Sequence, residues 1–346
     1  MKAMVVTAPY TMECREVPLP VPRIGEARVK VCYTGICGSD VHVYMGKVPT
    51  AKKDVIVGHE YSGIIDEIAP GSQDPNGLRP GDKVVGWIVE HCGVCDACIA
   101  GHTNLCRSLK CYGNQVDGTF QEYIRVPLRM LHRIPADADL RLYALAEPMS
   151  VAVYAVREAP VLLGDTVLVI GGGAIGICTA IAARKAGARR VAISEIARAK
   201  IRRIEELGFE AIDAGECDPV NRVMEMTGGS GFDCVFEATG HPSGYELLTK
   251  AGSFRAKGLN IGQNWDPAPL VTRDLNAREM RIKAIRIHQQ SVFNTTADMF
   301  AALSPEELSS LYRLITHDFD LDHLPEAFDF CVHDSSYCKV MVKVNA

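Results

Sequence analysis

The sequence predicts a two-domain α/β fold, in which an open parallel sheet with helices on both faces accompanies a mostly antiparallel β lobe. Roughly the first 150 residues contain short stretches of alternating apolar and polar side chains between glycines and prolines. From about residue 160 to about residue 285, apolar strands alternate with helical segments, which is typical of a doubly wound parallel sheet. The 346 residues are enough for two hydrophobic cores.

The composition is that of a globular protein, with 47% hydrophobic residues, 23% charged residues and a mean hydropathy of +0.04. The net charge of −5 and the lack of a long basic run argue against a nucleic-acid partner. Thr166–Ala183 carries no charged residue, but its glycines and its short length argue against a membrane span. Thirteen cysteines without an evident export signal lead us to expect a cytoplasmic protein.

The amino-terminal lobe is predicted to be built from short strands. Gly25–Val31 and the stretch Tyr61–Ile68 alternate, Pro80–Gly86 is a turn that enters a strand, and Gly118–Val126 is a further strand. After Tyr143 the pattern changes to one strand and one helix in turn. The predicted strands of this part are Val167–Ile170, Val191–Ser194, Ala211–Ile212, Asp233–Ala238, Leu259–Ile261 and Ile282–Ile285. The predicted helices are Ala144–Ala159 with an early break at Pro148, Ala174–Ala186, Ala197–Leu207, Pro219–Met226 and Tyr245–Ala251.

These elements predict the domain limits. We expect one domain over residues 1–152, with a cysteine-containing lobe at about 88–112, and an α/β domain over 153–289. Residues 290–346 are expected to return to the first domain, because the final strand Lys339–Val344 follows a complete α/β block. The first domain is therefore predicted to be discontinuous.

Four cysteines, Cys92, Cys95, Cys98 and Cys106, follow the spacing C-x2-C-x2-C-x7-C. A structural Zn²⁺ takes four thiolates in a tetrahedron, and small or flexible residues between these cysteines allow the chain to fold around one ion. Two disulfides would need an oxidising compartment, and a C-x-x-C redox pair would leave two cysteines without a role. The spacing favours a closed structural zinc site.

A glycine-rich turn follows the apolar strand Val167–Ile170. Gly171, Gly173 and Gly176 form G-x-G-x-x-G between a strand and a helix, the context in which this motif binds a dinucleotide. Ala174 and Ile175 begin the helix whose free N–H groups face the phosphates. Glu195 ends the next strand, where a carboxylate accepts hydrogen bonds from the adenosine ribose and repels a 2′-phosphate. We therefore expect NAD, although a helix-terminal role for Glu195 and the nearby Arg198 are arguments to the contrary.

Further metal ligands are available in the amino-terminal half of the chain. Cys37, His59, Glu60 and Glu147 are side chains of the types that bind a catalytic zinc. Spacing alone leaves the alternatives open, since a strand cysteine is usually a core residue and a Gly-His-Glu turn is common.

Taken together, Cys37–Asp40, Gly58–Glu60, the four-cysteine lobe and Gly171–Gly176 resemble the zinc-containing medium-chain alcohol dehydrogenases, in the order of that family. The resemblance covers essentially the whole chain and is strongest to the sorbitol/polyol and threonine dehydrogenases. It implies a Rossmann nucleotide domain, a GroES-like catalytic domain, NAD and two Zn²⁺ per chain. It further implies an enzyme that takes hydride from a secondary alcohol of a polyol-like small molecule, and a homodimer or homotetramer.

The resemblance also implies the roles of individual residues. Cys37, His59 and Glu147 would hold the catalytic zinc, with Glu60 as a ligand or in exchange with the bound water. Ser39 and His42 would pass the substrate proton to bulk water. Asp40 would orient His59.

One stretch differs from the sorbitol dehydrogenase pattern. Ile285–His288 places its arginine one position away from the expected site and carries a histidine where an aromatic residue is expected, which argues against sorbitol itself. Tyr44 is a candidate for the substrate cleft or for the surface. Threonine-type and 2,3-butanediol-type dehydrogenases are alternatives within the family. A zinc-free reductase and a zinc-stabilised protein that senses NAD(H) without catalysis are alternatives outside it.

Overall fold

The structure is a computed structural model that describes residues 1–74, 76–263 and 267–345. It contains eighteen strands in the described residues. In chain order the strands are β1 Lys2–Ala8, β2 Thr11–Glu16, β3 Glu26–Ile36, β4 Val55–Ile56, β5 Glu60–Ile68, β6 Lys83–Gly86, β7 Val89–Glu90, β8 Lys110–Cys111, β9 Tyr123–Pro127, β10 Leu131–Arg133, β11 Thr166–Ile170, β12 Arg190–Glu195, β13 Glu210–Asp213, β14 Phe232–Glu237, β15 Gly252–Asn260, β16 Arg281–Ala284, β17 Ile315–Asp320 and β18 Lys339–Lys343.

The helices are concentrated after residue 140. They are α1 Gly38–Tyr44, α2 Asp96–Ile99, α3 Leu140–Tyr143, α4 Ala146–Glu158, α5 Ala174–Lys185, α6 Arg198–Glu206, α7 Pro219–Thr227, α8 Pro242–Lys250, α9 Thr272–Arg278, α10 Gln290–Ala301, α11 Pro305–Tyr312 and α12 Leu324–His333. The expected break at Pro148 is wrong: α4 runs through it, because Pro148 lies in the first turn, where its missing N–H has no intrahelical partner to lose.

The chain forms two compact units, and the fold class is as predicted. One unit consists of Met1–Glu147 and Gln289–Ala346, and the other of Pro148–His288. The two segments of the first unit are joined in one sheet, because β18 pairs antiparallel with β3. The first unit is therefore discontinuous in sequence.

The first unit is built around a seven-stranded sheet in the order β10-β6-β5-β3-β18-β17, with β9 also paired to β3. All of its pairings are antiparallel except the one between β17 and β18. A three-stranded sheet, β2-β1-β4, packs with α1 and α12 into a common core. Phe120, Phe328 and Tyr44 meet edge to face in that core.

The second unit is a six-stranded parallel sheet in the order β13-β12-β11-β14-β15-β16. After β11 the chain forms β12 and β13 towards one edge of the sheet, and it then crosses to β14 on the opposite side of β11. This reversal creates a crevice at the carboxyl ends of β11 and β14, the place where such sheets bind ligands. The uncharged segment Thr166–Ala183 is divided here between β11, the glycine turn and α5. In the described residues, no helix has the length and apolar character needed to cross a bilayer.

Candidate functional site

The four-cysteine lobe brings its sulfur atoms together. The Sγ atoms of Cys92, Cys95, Cys98 and Cys106 all lie within 4.8 Å of one another. All thirteen cysteines lie in the described residues and are free thiols, so the lobe contains no disulfide. The backbone N–H groups of Val94 and Cys95 lower the pKa of Cys92 to about 6, which favours the thiolate form that binds metal. The lobe fits a closed tetrahedral zinc site.

The glycine turn of the second unit is built for close backbone packing. Gly171 has φ +104°, a conformation open to glycine, and a Cβ on it would lie 2.7 Å from Thr239 Cγ2. A Cβ on Gly176 would overlap the carbonyl oxygen of Gly171. Gly173, by contrast, precedes α5 as its N-cap and has no heavy atom within 4 Å of its Cβ position. The N-terminus of α5 therefore has open space in front of its free N–H groups, as a bound pyrophosphate requires.

Glu195 is held at the end of β12 beside this turn. Its Oε2 accepts a hydrogen bond from the Gly172 N–H at 2.8 Å, and its Oε1 accepts from the N–H groups of Ile196 and Ala197 at 2.8 and 3.0 Å. The carboxylate is therefore fixed in position before any ligand arrives. The neighbouring Arg198 forms an ion pair with Glu216.

Glu237 is a residue of this crevice that the sequence analysis missed. It ends β14, is fully buried, and accepts hydrogen bonds from the Thr239 N–H at 2.7 Å, the Thr239 hydroxyl and the Gly240 N–H at 3.1 Å. Thr239 in turn faces Gly171. Glu237 thus fixes the loop on the second side of the crevice. The available signal was a lone acidic residue at the end of an apolar strand.

A second group of metal ligands lies in the first unit. Ligand atoms of Cys37, His59 and Glu60 lie within 4.8 Å of one another. Cys37 is the N-cap of α1, His59 immediately precedes β5 and Glu60 is its first residue, so two segments that are separate in sequence meet here. Cysteine, histidine and carboxylate donors are a set that catalytic zinc uses, and the group therefore fits zinc.

Asp40 orients this group from behind. Its Oδ1 lies 3.2 Å from His59 Nδ1 and accepts a hydrogen bond from the Gly58 N–H, while its Oδ2 accepts from the Cys37 N–H at 3.0 Å. The Nδ1 contact leaves His59 Nε2 available as a ligand atom. Burial alone would lower the pKa of His59, but Asp40 and Cys37 outweigh it and raise that pKa well above its ordinary value. A metal bound at His59 Nε2 would displace the proton from that nitrogen.

Glu60 has a partner that the sequence analysis did not identify. Both of its carboxylate oxygens accept hydrogen bonds from Lys339 Nζ, each at 2.7 Å. Glu147, in the first turn of α4, is 5% exposed and close enough to raise the pKa of both Glu60 and Lys339. In the described residues, the ligand atoms that lie within 4.8 Å of one another are those of Cys37, His59 and Glu60, and Glu147 does not contribute one. Nothing in the spacing along the chain marks Lys339, which lies 279 residues after Glu60.

The remaining predicted residues lie on or near α1. Ser39 is exposed and His42 is half-buried one turn later, on the same helix as the Cys37 N-cap. Burial lowers the pKa of His42, with a contribution from Lys47. Tyr44 occupies neither of its two expected environments, since it is 2% exposed and its hydroxyl donates to Asp329 at 2.8 Å. Its large apolar ring is instead used in the core.

The stretch that differs from the sorbitol dehydrogenases follows β16. Arg286 is exposed, whereas His288 is fully buried. Ile287 between them has φ +55°, a strained conformation for a β-branched residue. The chain therefore turns sharply where the resemblance to the sorbitol dehydrogenases leads us to expect an arginine and an aromatic side chain.

Comparison with known proteins supports this description. Residues 23–136 match the model of the alcohol dehydrogenase GroES-like domain, and residues 174–302 match that of the zinc-binding dehydrogenases. A sorbitol dehydrogenase from Halalkalibacterium halodurans is 37% identical over 75% of this chain and 77% of its own. An L-threonine 3-dehydrogenase from Pyrococcus horikoshii is 32% identical over 95% and 94%. The chain belongs to the zinc-containing medium-chain alcohol dehydrogenases.

The solved structures agree. A zinc-binding dehydrogenase from Sinorhizobium meliloti, bound to NADP, superimposes with a TM-score of 0.91 at 29% identity, over 99% of this chain and 98% of the other. The dehydrogenase described here is thus an NAD(P)-dependent oxidoreductase of alcohols. Its two ligand groups fit one structural and one catalytic zinc.

We predict that Gly176 and Gly173 tolerate a side chain very differently. Gly176→Val should lower the free energy of unfolding by about 3 kcal/mol, because the new side chain overlaps the Gly171 carbonyl. Gly173→Ala, the matched control, should change it by less than about 0.5 kcal/mol, because its Cβ enters open space. That space is where the cofactor approaches, so Gly173→Ala should nevertheless weaken NADH binding. Urea unfolding and NADH fluorescence titration measure the two effects, and wild-type stability of Gly176→Val would contradict the packing described.

We predict two zinc ions per chain and one in Cys37→Ser. Loss of the thiolate removes a ligand of the first-unit group and leaves the four-cysteine lobe intact. Turnover should disappear while NADH affinity remains, since the glycine turn is unchanged. Elemental analysis of the purified chains measures the metal. Cys14→Ser, at an exposed cysteine of β2, should keep both ions. Wild-type turnover of Cys37→Ser after exhaustive chelation would refute the assignment.

Proposed function

We propose that this dehydrogenase oxidises a secondary alcohol of a polyol-like substrate, such as a sugar alcohol, cyclitol or sugar phosphate, to a ketone with NAD⁺. The observation that carries the proposal is the group of Cys37, His59 and Glu60, with Glu147 close to it. Two carboxylates beside one metal make a strongly polar site, which suits a substrate with several hydroxyl groups. The sorbitol dehydrogenase relative supports the same class.

In this proposal the protein places the reacting groups and carries the proton. Zinc, when bound, acts as a Lewis acid that makes the substrate hydroxyl more acidic, and the nicotinamide accepts the hydride. Cys37, His59 and a carboxylate hold the metal, and Asp40 fixes the imidazole of His59. The exposed hydroxyl of Ser39 receives the proton and donates to His42, one turn along α1. Burial lowers the pKa of His42, which favours the neutral imidazole that can accept a proton.

A second candidate is an amino alcohol such as L-threonine. The threonine dehydrogenase relative covers 95% of this chain, more than the sorbitol dehydrogenase does. An ammonium group beside the reacting alcohol could pair with Glu147, which is buried and acidic. The two candidates differ in the charge of the substrate, and a substrate panel therefore distinguishes them.

We propose NAD rather than NADP as the cofactor because of Glu195. Three backbone N–H groups hold its carboxylate at the end of β12, where the ribose of a bound dinucleotide lies in this fold. A fixed negative charge at that position repels a 2′-phosphate. Arg198, the nearest candidate for binding such a phosphate, is paired with Glu216.

We also propose a homodimer or homotetramer in a reducing cytoplasm. Strand β16 is the last strand of its sheet in the described residues, and most of its side chains are exposed, so it could pair with another copy. The four thiols of the lobe must stay reduced to bind zinc, which a reducing compartment ensures. Light scattering of the zinc-loaded protein measures the oligomeric state.

The prediction for substrate is that polyols outperform simple alcohols. A panel of sugar alcohols, cyclitols, sugar phosphates, L-threonine, 2,3-butanediol and 2-propanol, followed as NADH absorbance with NAD⁺, should give the highest kcat/KM with a polyol. A higher value for L-threonine would favour the second candidate. No turnover of any alcohol by the protein with two zinc ions would refute the proposed reaction.

For the cofactor, we predict a clear preference for NAD⁺ that depends on Glu195. Glu195→Gln should raise kcat/KM for NADP⁺ by roughly tenfold, because one fixed repulsive charge is removed. Glu205→Gln, a charge removal at an exposed position of α6, should leave it unchanged. A higher kcat/KM of the wild-type protein for NADP⁺ than for NAD⁺ would contradict this role of Glu195. So would an equal change of kcat/KM for NADP⁺ in the two variants.

A further inference from the structure

Lys339 occupies an unusual position for a lysine. It is 4% exposed, and its ammonium group donates to Glu60 Oε1 and Oε2 at 2.7 Å each and to the Ile36 carbonyl at 3.1 Å. An ammonium has three N–H donors, and all three are used. Burial alone would lower the pKa of Lys339, but Glu60, Cys37 and Glu147 outweigh it and raise that pKa. The side chain is therefore a fixed positive charge behind the candidate metal ligands.

The sheet register makes room for this pair. Gly35 of β3 lies opposite Glu60 of β5, and Val340 of β18, next to Lys339, lies opposite Ile36. A Cβ on Gly35 would overlap Glu60 Oε2 and lie 3.3 Å from Lys339 Cδ. The charged pair, one residue from β5 and one from β18, therefore occupies the space over Gly35 of β3, the strand that lies between them.

The charges of the site indicate what the pair does. A Cys37 thiolate, Glu60, Glu147 and the buried Asp40 behind His59 supply four negative charges, and with a neutral His59 they exceed the two positive charges of Zn²⁺ by two. The ammonium of Lys339 offsets one of these two charges. A net charge is costly in a buried site, so a fixed ammonium group stabilises a site in which several buried carboxylates lie close together.

The same ammonium also competes with a metal for the lone pairs of Glu60. A carboxylate oxygen that accepts a charge-assisted hydrogen bond is a weaker metal ligand than a free one. We propose that Lys339 is a positioning residue that restrains Glu60, weakens its bond to the catalytic metal, and so keeps a coordination position open for substrate. This inference rests on the catalytic metal site of the proposed function and adds a residue to it.

A merely structural salt bridge would behave in the opposite way. Removing one partner of a buried pair leaves the other charge uncompensated, which destabilises the surroundings and loosens the ligands. Under that alternative, loss of Lys339 would speed the release of zinc. Under our proposal the freed carboxylate binds the metal more fully, and release becomes slower.

The test compares Lys339→Met with Lys343→Met, the same change at an exposed position of the same strand. We expect Lys339→Met to release its catalytic zinc to a chromogenic chelator about tenfold more slowly than the wild type. With Co²⁺ in the catalytic site, its visible d–d absorption should weaken, because the coordination number rises. Lys343→Met should match the wild type in both measurements, and Lys339→Arg should restore the wild-type spectrum. The metal ion of the catalytic site is identified as the one that the Cys37→Ser protein does not contain.

Faster release of zinc from Lys339→Met, or an unchanged cobalt spectrum in a folded protein, would overturn the proposal. If Lys339→Met does not fold, Glu60→Gln and the double variant Glu60→Gln/Lys339→Met replace it. Because Lys339 acts through Glu60 in this proposal, these two proteins should release zinc at the same rate, and a difference between them would overturn it. A wild-type protein with only one zinc ion would instead refute the proposed function itself.

Discussion

The buried ion pair between Glu60 and Lys339 is the interaction on which the arrangement of the candidate catalytic metal ligands depends. It links β5 to β18, and β18 is the strand by which the carboxyl-terminal segment rejoins the sheet. The pair can form only because Gly35 leaves space for it and because the register sets Glu60 opposite that glycine. Two charges that would be costly alone are compensated by each other and by the Ile36 carbonyl. The addition of the carboxyl-terminal strand to the sheet and the position of a metal ligand therefore depend on the same contacts.

The second unit solves a different problem, which is to bring backbone N–H groups close to a phosphate without steric obstruction. Gly171 turns the chain at the end of β11, Gly176 lets α5 approach that turn, and Gly173 leaves open space before the helix. The acidic residues Glu195 and Glu237 fix the neighbouring loops through backbone N–H groups. The crevice is therefore held in shape by the chain itself. Family membership then explains what the crevice binds.

The sequence predicted those parts of the site that are local. The four cysteines of the lobe lie within fifteen residues, and the glycine turn lies between its strand and its helix, so spacing alone was informative. The group of Cys37, His59 and Glu60 joins two separate segments, and its recognition required the resemblance to a family. Tyr44 was misplaced, because an aromatic residue on a short helix gives no sign of which face the core covers. Lys339 and Glu237 were missed, because a single charged residue in an apolar strand carries no periodic signal.

By itself the sequence determined the fold class, most of the order of the elements in the second unit, the four-cysteine lobe and the dinucleotide turn, because each depends on residues that are close along the chain or on a regular period. Only the tertiary structure decided which charged groups face the catalytic ligands. Strand register brings Gly35, Glu60 and Lys339 together across separations of up to 304 residues, and a shift of one residue would turn each side chain to the other face of the sheet. Register between distant strands is set by the packing of the whole sheet, and no local pattern encodes it.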